Sequence, residues 1–481
     1  MESSTAITNL KEERMFGLTE MMELSASSNT LSEGYQYAIV PTVLLPLAFL
    51  GTALSVVATF IAGMFGVKLK AEGPKKLLEL LLKPKVLLAA VALNLAIYGG
   101  YLGVDYVKNG PVPQTVQKLA NSDTTYHQKA MQGDRALWKQ SLEGEGIFAR
   151  GTIVNGELFF GTNEGYLYVA DADTGALKNK LFFGKFLSPS PTLYKGFLYF
   201  GEGLHQSHSM GVYKFDPEKK QVVSHFRTNG HTEIFPVFTN SDGKDYLLQT
   251  AGEDGLYAIN PDTMEKIWQF KGGHMDGFAL VQGDYVYIGS GIPREGFSIN
   301  RPFAYKLNLK DGSIVWKKEL PLSAWYGPVQ VQDDVCFIQG EIHIDTHVGG
   351  LSCFTQAGER AHSLVINYPV VGKPIVKNDT IYFNDYYGNL YAWDAINNKL
   401  KWEIESEIKK GAYSSLQFYN EKEIIYAKRT GGVLIINMES GEVRENIDFA
   451  QDELIYADPL VKEDAFYLFG MKGSIFKSAK I

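Results

Sequence analysis

Cysteine is the scarcest residue in this chain of 481 residues, present only as Cys336 and Cys353. Two thiols exclude a disulfide-rich scaffold and any four-cysteine zinc site. An excess of positive charge is missing as well. The 46 Lys and Arg stand against 54 Asp and Glu, a net charge of −8, so the basic footprint of non-specific nucleic-acid binding is absent and no nucleic-acid partner is expected. The 18 prolines and 48 glycines are scattered, without the period of a collagen or the density of a low-complexity chain. There is no P-loop, no G-x-S-x-G, no H-E-x-x-H and no C-x-x-C.

Ionisable residues are also missing from one long stretch. Tyr37 to Val67 carries no acid or base and exceeds the roughly 20 apolar residues needed to cross a hydrocarbon core. A second uncharged run, Val86 to Val104, is close to the minimum spanning length and ends among Tyr98, Tyr101 and Tyr106, the kind of residue found at membrane interfaces. Two transmembrane helices are expected. The connection between them, 68–85, holds Lys68, Lys70, Lys75, Lys76, Lys83 and Lys85 against Glu72 and Glu79, which places it in the cytoplasm. Residues 1–36 then form an extracytoplasmic tail, and everything after a connector at 105–133 is extracytoplasmic too. A bacterial inner membrane with the soluble part in the periplasm, or a comparable outside space, is the expected location.

What the remainder has in abundance is a repeat. Glycine, a short apolar strand, Asp or Asn, a turn and a further strand recur as GYLYVADADTG (165 to 175), GVYKFDPEKK (211 to 220), GLYAINPDTM (255 to 264), FAYKLNLKDG (303 to 312), GLSCFTQAGE (350 to 359), GNLYAWDAINN (388 to 398), GGVLIINMESG (431 to 441) and GSIFKSAKI (473 to 481). Equivalent positions fall at Asp171, Asp216, Asn260, Asn308, Thr355, Asp394, Asn437 and Ala479, a spacing of 39 to 48 residues that suits one four-stranded propeller blade. The expected fold is all-β, an eight-bladed β-propeller over 134–481 behind a two-helix anchor. The eighth copy lacks a fourth strand, whereas a spare one, RALWKQSL at 135 to 142, precedes the first. That strand is expected to complete blade eight and close the ring.

The turn-and-tryptophan pattern in AINPDTMEKIW (258 to 268), KLNLKDGSIVW (306 to 316) and AWDAINNKLKW (392 to 402) resembles the docking motif of the PQQ-like, or quinoprotein-type, β-propeller repeat family. Trp138, Trp268, Trp316 and Trp402 fill the tryptophan position, and Asn179, Ser224, Ser363 and Glu445 replace it in the other blades. The resemblance implies structural tryptophans packed between blades. It also implies two functional classes. Some members are PQQ-dependent membrane-bound dehydrogenases, of which the best-known carry two adjacent cysteines facing the cofactor; Cys336 and Cys353 are not adjacent. The soluble part is also similar to the propeller lipoprotein of the outer-membrane protein assembly machinery, although no Cys precedes position 336 to carry a lipid. The expectation is a non-catalytic scaffold or binding subunit of an envelope complex, with no cofactor and no catalytic residue assigned; the dehydrogenase is the alternative.

Cys336 and Cys353 face each other if the hairpin between them is symmetric, and two packed thiols are preferred over a cross-strand disulfide. Loops joining strand four to the next strand one, and strands two to three, emerge on one face of a propeller. They carry His205 and His208 near Glu202, His231, His274, and His343 and His347 near Asp345, together with Phe186, Trp325, Tyr326, Tyr368, Tyr413 and Tyr456. This face is read as a partner surface. His231 with Glu233 and His274 with Asp276 are the residues suited to a metal, but a polar rim and duplication of a loop are the preferred account of them, and no metal is assigned.

Overall fold

Strands that are covered on both faces need no polar alternation, and this shows in the middle of each repeat. In blade three, Lys244–Thr250 and Leu256–Asn260 are almost continuously buried, whereas the outermost strand Glu265–Phe270 starts exposed and then alternates between half-buried and buried residues. The neighbouring blades supply the cover. The computed structural model describes residues 116–118 and 136–480, apart from 143, 185, 206, 293–300, 343–346, 408–410 and 450–452. The tail at 1–36, the expected spans and the loop between them lie outside the described residues, as do His343 and Asp345. Among the described residues no helix is long and apolar enough to cross a membrane.

The chain forms eight antiparallel sheets in chain order, an eight-bladed propeller of four-stranded blades. The spare strand Ala136–Ser141 pairs with Ser474–Ala479 and so becomes the outer strand of blade eight. The connector contributes a strand that the sequence analysis does not foresee. Val116–Lys118 adds to Leu177–Phe182 and makes blade one five-stranded, which covers one outer edge. In all eight blades the pairing of the third and fourth strands is broken by a bulge, a device that increases local twist.

Two local interactions explain the repeat motif. Where the third strand ends in Asp or Asn, in six of the eight blades, that side chain caps the following turn: Asp171 Oδ1 accepts the N–H groups of Asp173 and Thr174 at 3.1 and 2.9 Å, and Asn437 Oδ1 those of Glu439 and Ser440 at 3.0 and 3.1 Å. The glycine that ends the turn receives the tryptophan of the preceding blade. A Cβ on Gly175 would stand 2.6 Å from the Trp138 ring, on Gly312 2.7 Å from Trp268, on Gly358 3.0 Å from Trp316 and on Gly441 2.7 Å from Trp402. The indole N–H groups of Trp268 and Trp402 then donate to Leu309 O and Met438 O at 2.8 and 2.9 Å.

All four glycines have positive φ, from +73° to +80°. Where Asn179, Ser224 or Ser363 replaces the tryptophan, the matching position of the next blade is Lys220, Met264 or Asn398, also left-handed at φ 55°, 57° and 49°. Glycine is therefore used there because an indole lies on it, since the turn itself tolerates a side chain. Met264 shows what fills the space instead, being buried among Tyr199, Val212 and Tyr257.

Cys336 and Cys353 are paired directly across their strands with Cα atoms 3.9 Å apart and are joined by a disulfide. The preference for two packed thiols is thus corrected. The symmetric hairpin brings the two side chains to one face of adjacent strands, in the close spacing of a non-hydrogen-bonded pair.

Gly312→Ala is expected to cost about 2–4 kcal/mol, from left-handed strain plus overpacking against Trp268. Asn398→Gly, at an exposed turn with no indole above it, changes stability by less than about 1 kcal/mol. Denaturant midpoints of the two variants check this contrast. In non-reduced protein, iodoacetamide labels neither cysteine, and unfolding after reduction exposes both.

Candidate functional site

Three loops from three successive blades meet on one face. His205 lies in the loop between Phe197–Gly201 and Gly211–Asp216, His231 precedes blade three, and His274 and Asp276 precede blade four. Their backbones are held by cross-loop hydrogen bonds. Gly252 and Met275 exchange both N–H···O bonds at 3.1 and 3.0 Å, and Gly291 N–H donates to His274 O at 2.9 Å. The His231 ring rests on Gly252, where φ is +54° and a Cβ would come within 2.7 Å of Cε1. Gly291 in turn lies under the Trp325 ring, 2.4 Å from where its Cβ would stand.

Asp276 is the hub of the cluster. Its Oδ1 is 2.9 Å from His231 Nε2, and its Oδ2 is 2.9 Å from His274 Nε2 and 3.5 Å from His205 Nδ1. His205 Nδ1 and His231 Nε2 are 3.4 Å apart, and Glu233 Oε2 is 3.6 Å from the former and 3.9 Å from the latter. Trp325 closes one side, its ring centroid 5.6 Å from that of His274 and 6.2 Å from that of His205. The His231 and Asp276 side chains are only 2% and 4% exposed, while His205 is 40% exposed and opens the cluster to solvent.

Burial opposes charge on His231, but the Asp276 hydrogen bond and the charge of Glu233 outweigh it and raise its pKa to about 9. His274 is raised by the same balance, burial against the Asp276 bond and charge. For Asp276, burial favours the neutral acid, yet the two imidazoles hold it far below the usual carboxylate range.

Nearer the axis, a second constellation comes from the residues that begin the innermost strands. Lys373 of blade six reaches to Phe235 and Phe278 of blades three and four, its Nζ 5.2 Å from each ring centroid, and those two rings stack at 5.4 Å. Surrounding protein, then Arg150, lowers the Lys373 pKa. Burial raises that of Asp458 against the pull of Arg150 and Lys373, and Asp458 Oδ1 accepts Ser415 N–H at 2.7 Å. Around the opposite side runs an aromatic arc. Tyr368 contacts Tyr387 at 4.2 Å, Tyr386 contacts Tyr413 at 5.4 Å, Tyr413 contacts Tyr456 at 5.1 Å, and Phe148 bridges Tyr456 and Phe186 at 6.2 and 4.6 Å.

The face proposed from sequence is thus two neighbourhoods. His205, His231, His274, Asp276 and Trp325 come together, with Glu233 beside them. His347 belongs to the arc, 5.7 Å from the Tyr368 ring, and His208 is exposed outside the cluster. Tyr326 lies between the two, with its ionisation opposed first by burial and then by Glu233, Tyr386, Asp276 and Asp458. Glu202 is used elsewhere, accepting from Tyr213 Oη at 2.9 Å and facing Arg227 at 3.5 Å. Sequence reasoning did not single out Phe148, Phe235, Phe278, Tyr386, Tyr387, Lys373 or Asp458. Their signal was positional, at loop tips or next to the first strand of a blade.

Residues 303–478 match the family model described as outer membrane protein assembly factor BamB. The repeats of 303–478 are thus similar to those of the PQQ-like β-propeller family. Among solved PQQ-like and other propellers, BamB from Moraxella catarrhalis superposes with a TM-score of 0.55 at 11% identity, covering 76% of this chain and 100% of that one. The computationally designed Ika8 protein gives 0.55 and 11%, covering 71% and 98%. At such identities the likeness is one of fold. In sequence, the chain is 23% identical over 261 residues to the tetrathionate hydrolase of Acidithiobacillus ferrooxidans, 50% of each protein. The chain therefore spans about half the length of that curated relative.

Gly252→Ala is expected to push the His231 ring out of the cluster and to destabilise the fold by about 1–3 kcal/mol. Chemical denaturation measures the loss, and the His231 imidazole signals in NMR report the displacement.

Proposed function

We propose that this chain is an extracytoplasmic binding propeller, tethered by its two N-terminal apolar spans, that presents its loop face to a protein partner in an envelope complex. The observation that carries the reading is the arc of aromatic side chains from Tyr368 to Phe186 around an axial ring of Arg150, Lys373, Phe235, Phe278 and Asp458. Rigid aromatics beside a few fixed charges are the usual composition of a binding hot spot. The Cys336–Cys353 disulfide supports an oxidising compartment, and the lysine-rich loop supports the same orientation from the membrane side. BamB carries the phrase outer membrane protein assembly factor in its family description, which agrees with a scaffold role.

A photo-crosslinking residue at Tyr368 or Tyr456 is expected to capture a membrane-associated protein in cells. The same residue at Val443, on the outer edge of blade seven, captures none. Tyr413→Ala lowers capture by about tenfold or more, as expected for a central aromatic. Equal capture from face and edge, or none from either, would sink the reading. A periplasmically active reporter fused after Ile481 tests the orientation, and activity of a cytoplasmic-only reporter there reverses it.

A second reading is hydrolysis of an inorganic sulfur compound, favoured by one observation, the name of the tetrathionate hydrolase relative. Loss of tetrathionate on incubation with the purified full chain is its test, and an unchanged concentration removes it.

A further inference from the structure

The geometry points to a transition-metal site of the zinc class at His205 Nδ1, His231 Nε2, His274 Nε2 and an Asp276 carboxylate oxygen. All four ligand atoms lie within 4.8 Å of one another. A tetrahedral ion with bonds of about 2.0–2.1 Å sets its ligands about 3.3–3.4 Å apart. His205 Nδ1 and His231 Nε2 are 3.4 Å apart, while Asp276 meets the imidazoles through two oxygens, Oδ1 at 2.9 Å from His231 and Oδ2 at 2.9 and 3.5 Å from His274 and His205, so an ion enters once the carboxylate and rings turn by up to about 1 Å to present one atom each. Three imidazoles and one carboxylate select a zinc-like ion over calcium or magnesium, which take oxygen ligands.

The surroundings are those of a metal site. His274 offers Nε2 to the cluster while its Nδ1 faces Glu253 Oε1 at 3.3 Å, an outer carboxylate of the kind that orients a metal-bound imidazole. Glu233 and Glu253 place two further carboxylates beside the cluster, a charge that suits a cation. Trp325 excludes water from one side, and the exposed His205 gives the path of entry. The ligands come from three loops, so the ion pins the loop of blade two to those that open blades three and four. It needs no partner and no substrate, and it is independent of the binding role proposed above.

The test uses the full chain in detergent, stripped with chelator and titrated with Zn²⁺ alone by calorimetry. One ion per chain is expected, with a raised thermal midpoint. Co²⁺ is expected to give tetrahedral d–d absorption and to quench Trp325 fluorescence, a quench that Trp325→Phe removes without removing the absorption. His205→Ala, an exposed loop residue whose loss leaves the fold intact, weakens Zn²⁺ binding by on the order of 100-fold, and Glu253→Gln by about 10-fold to 100-fold. Asp276→Asn abolishes it, with circular dichroism checking that the variant is folded. Absence of Zn²⁺ binding by the stripped wild type, or unchanged binding in a folded His205→Ala protein, overturns the proposal and leaves a hydrogen-bonded histidine and aspartate network only.

Discussion

A single blade of this protein cannot bury itself. Its middle strands are apolar on both faces, so each sheet is stable only between two others, and the eight become self-consistent when the ring closes. Closure rests on one antiparallel seam, Ala136–Ser141 against Ser474–Ala479, where a strand that precedes the whole of the repeat array completes the last blade. Trp138 on that seam strand docks on Gly175 of blade one, as Trp268, Trp316 and Trp402 dock on the glycines of their neighbours. Each indole removes on the order of 150–250 Å² from water, so the seam is fastened by the same contact that joins the other tryptophan-bearing blades.

The loop face inherits its precision from this stacking. His205, His231 and Asp276 come from three different blades, and nothing within one blade fixes their mutual distances. They converge because the blades are held in register by indole and turn, and because Gly252, Met275, His274 and Gly291 tie adjacent loops through backbone bonds. Lys373 likewise reaches two phenylalanines on the far side of the axis only in a closed ring. A scaffold that positions side chains through neighbours of this kind is rigid where it touches a ligand, which lowers the ordering cost of binding.

The fold was largely legible because its signals repeat. A capping Asp or Asn, a turn glycine and a docking tryptophan at a near-constant period outweigh any one ambiguous strand, and the spare strand at 135 to 142 could be assigned by counting. The strand Val116–Lys118 was not legible, since VQK has no apolar alternation and gains its place only from the open edge of Leu177–Phe182. The site was half legible. His231 and His274 stand at equivalent repeat positions, so their proximity followed from adjacent blades, whereas the approach of His205 depends on the path of a loop that no period describes. Phe235 and Phe278 looked like ordinary strand starts, and only the ring geometry turns them toward Lys373. The cysteines sat between these cases: their pairing followed from hairpin symmetry, while the bond itself required the spacing of the two backbones.

The seam also orders events in time. Synthesis proceeds from the N-terminus, so Ala136–Ser141 is made before any other strand of its own blade and must wait, unpaired, for the segment Ser474–Ala479. Blades one to seven are able to stack as they appear, yet the sheet of the seam is assembled only after all seven have been made. During that interval the waiting strand offers a free edge, as does the half-built eighth blade. The protein is therefore most exposed to mispairing immediately before completion, and the closing six-residue strand acts as the latch that ends it.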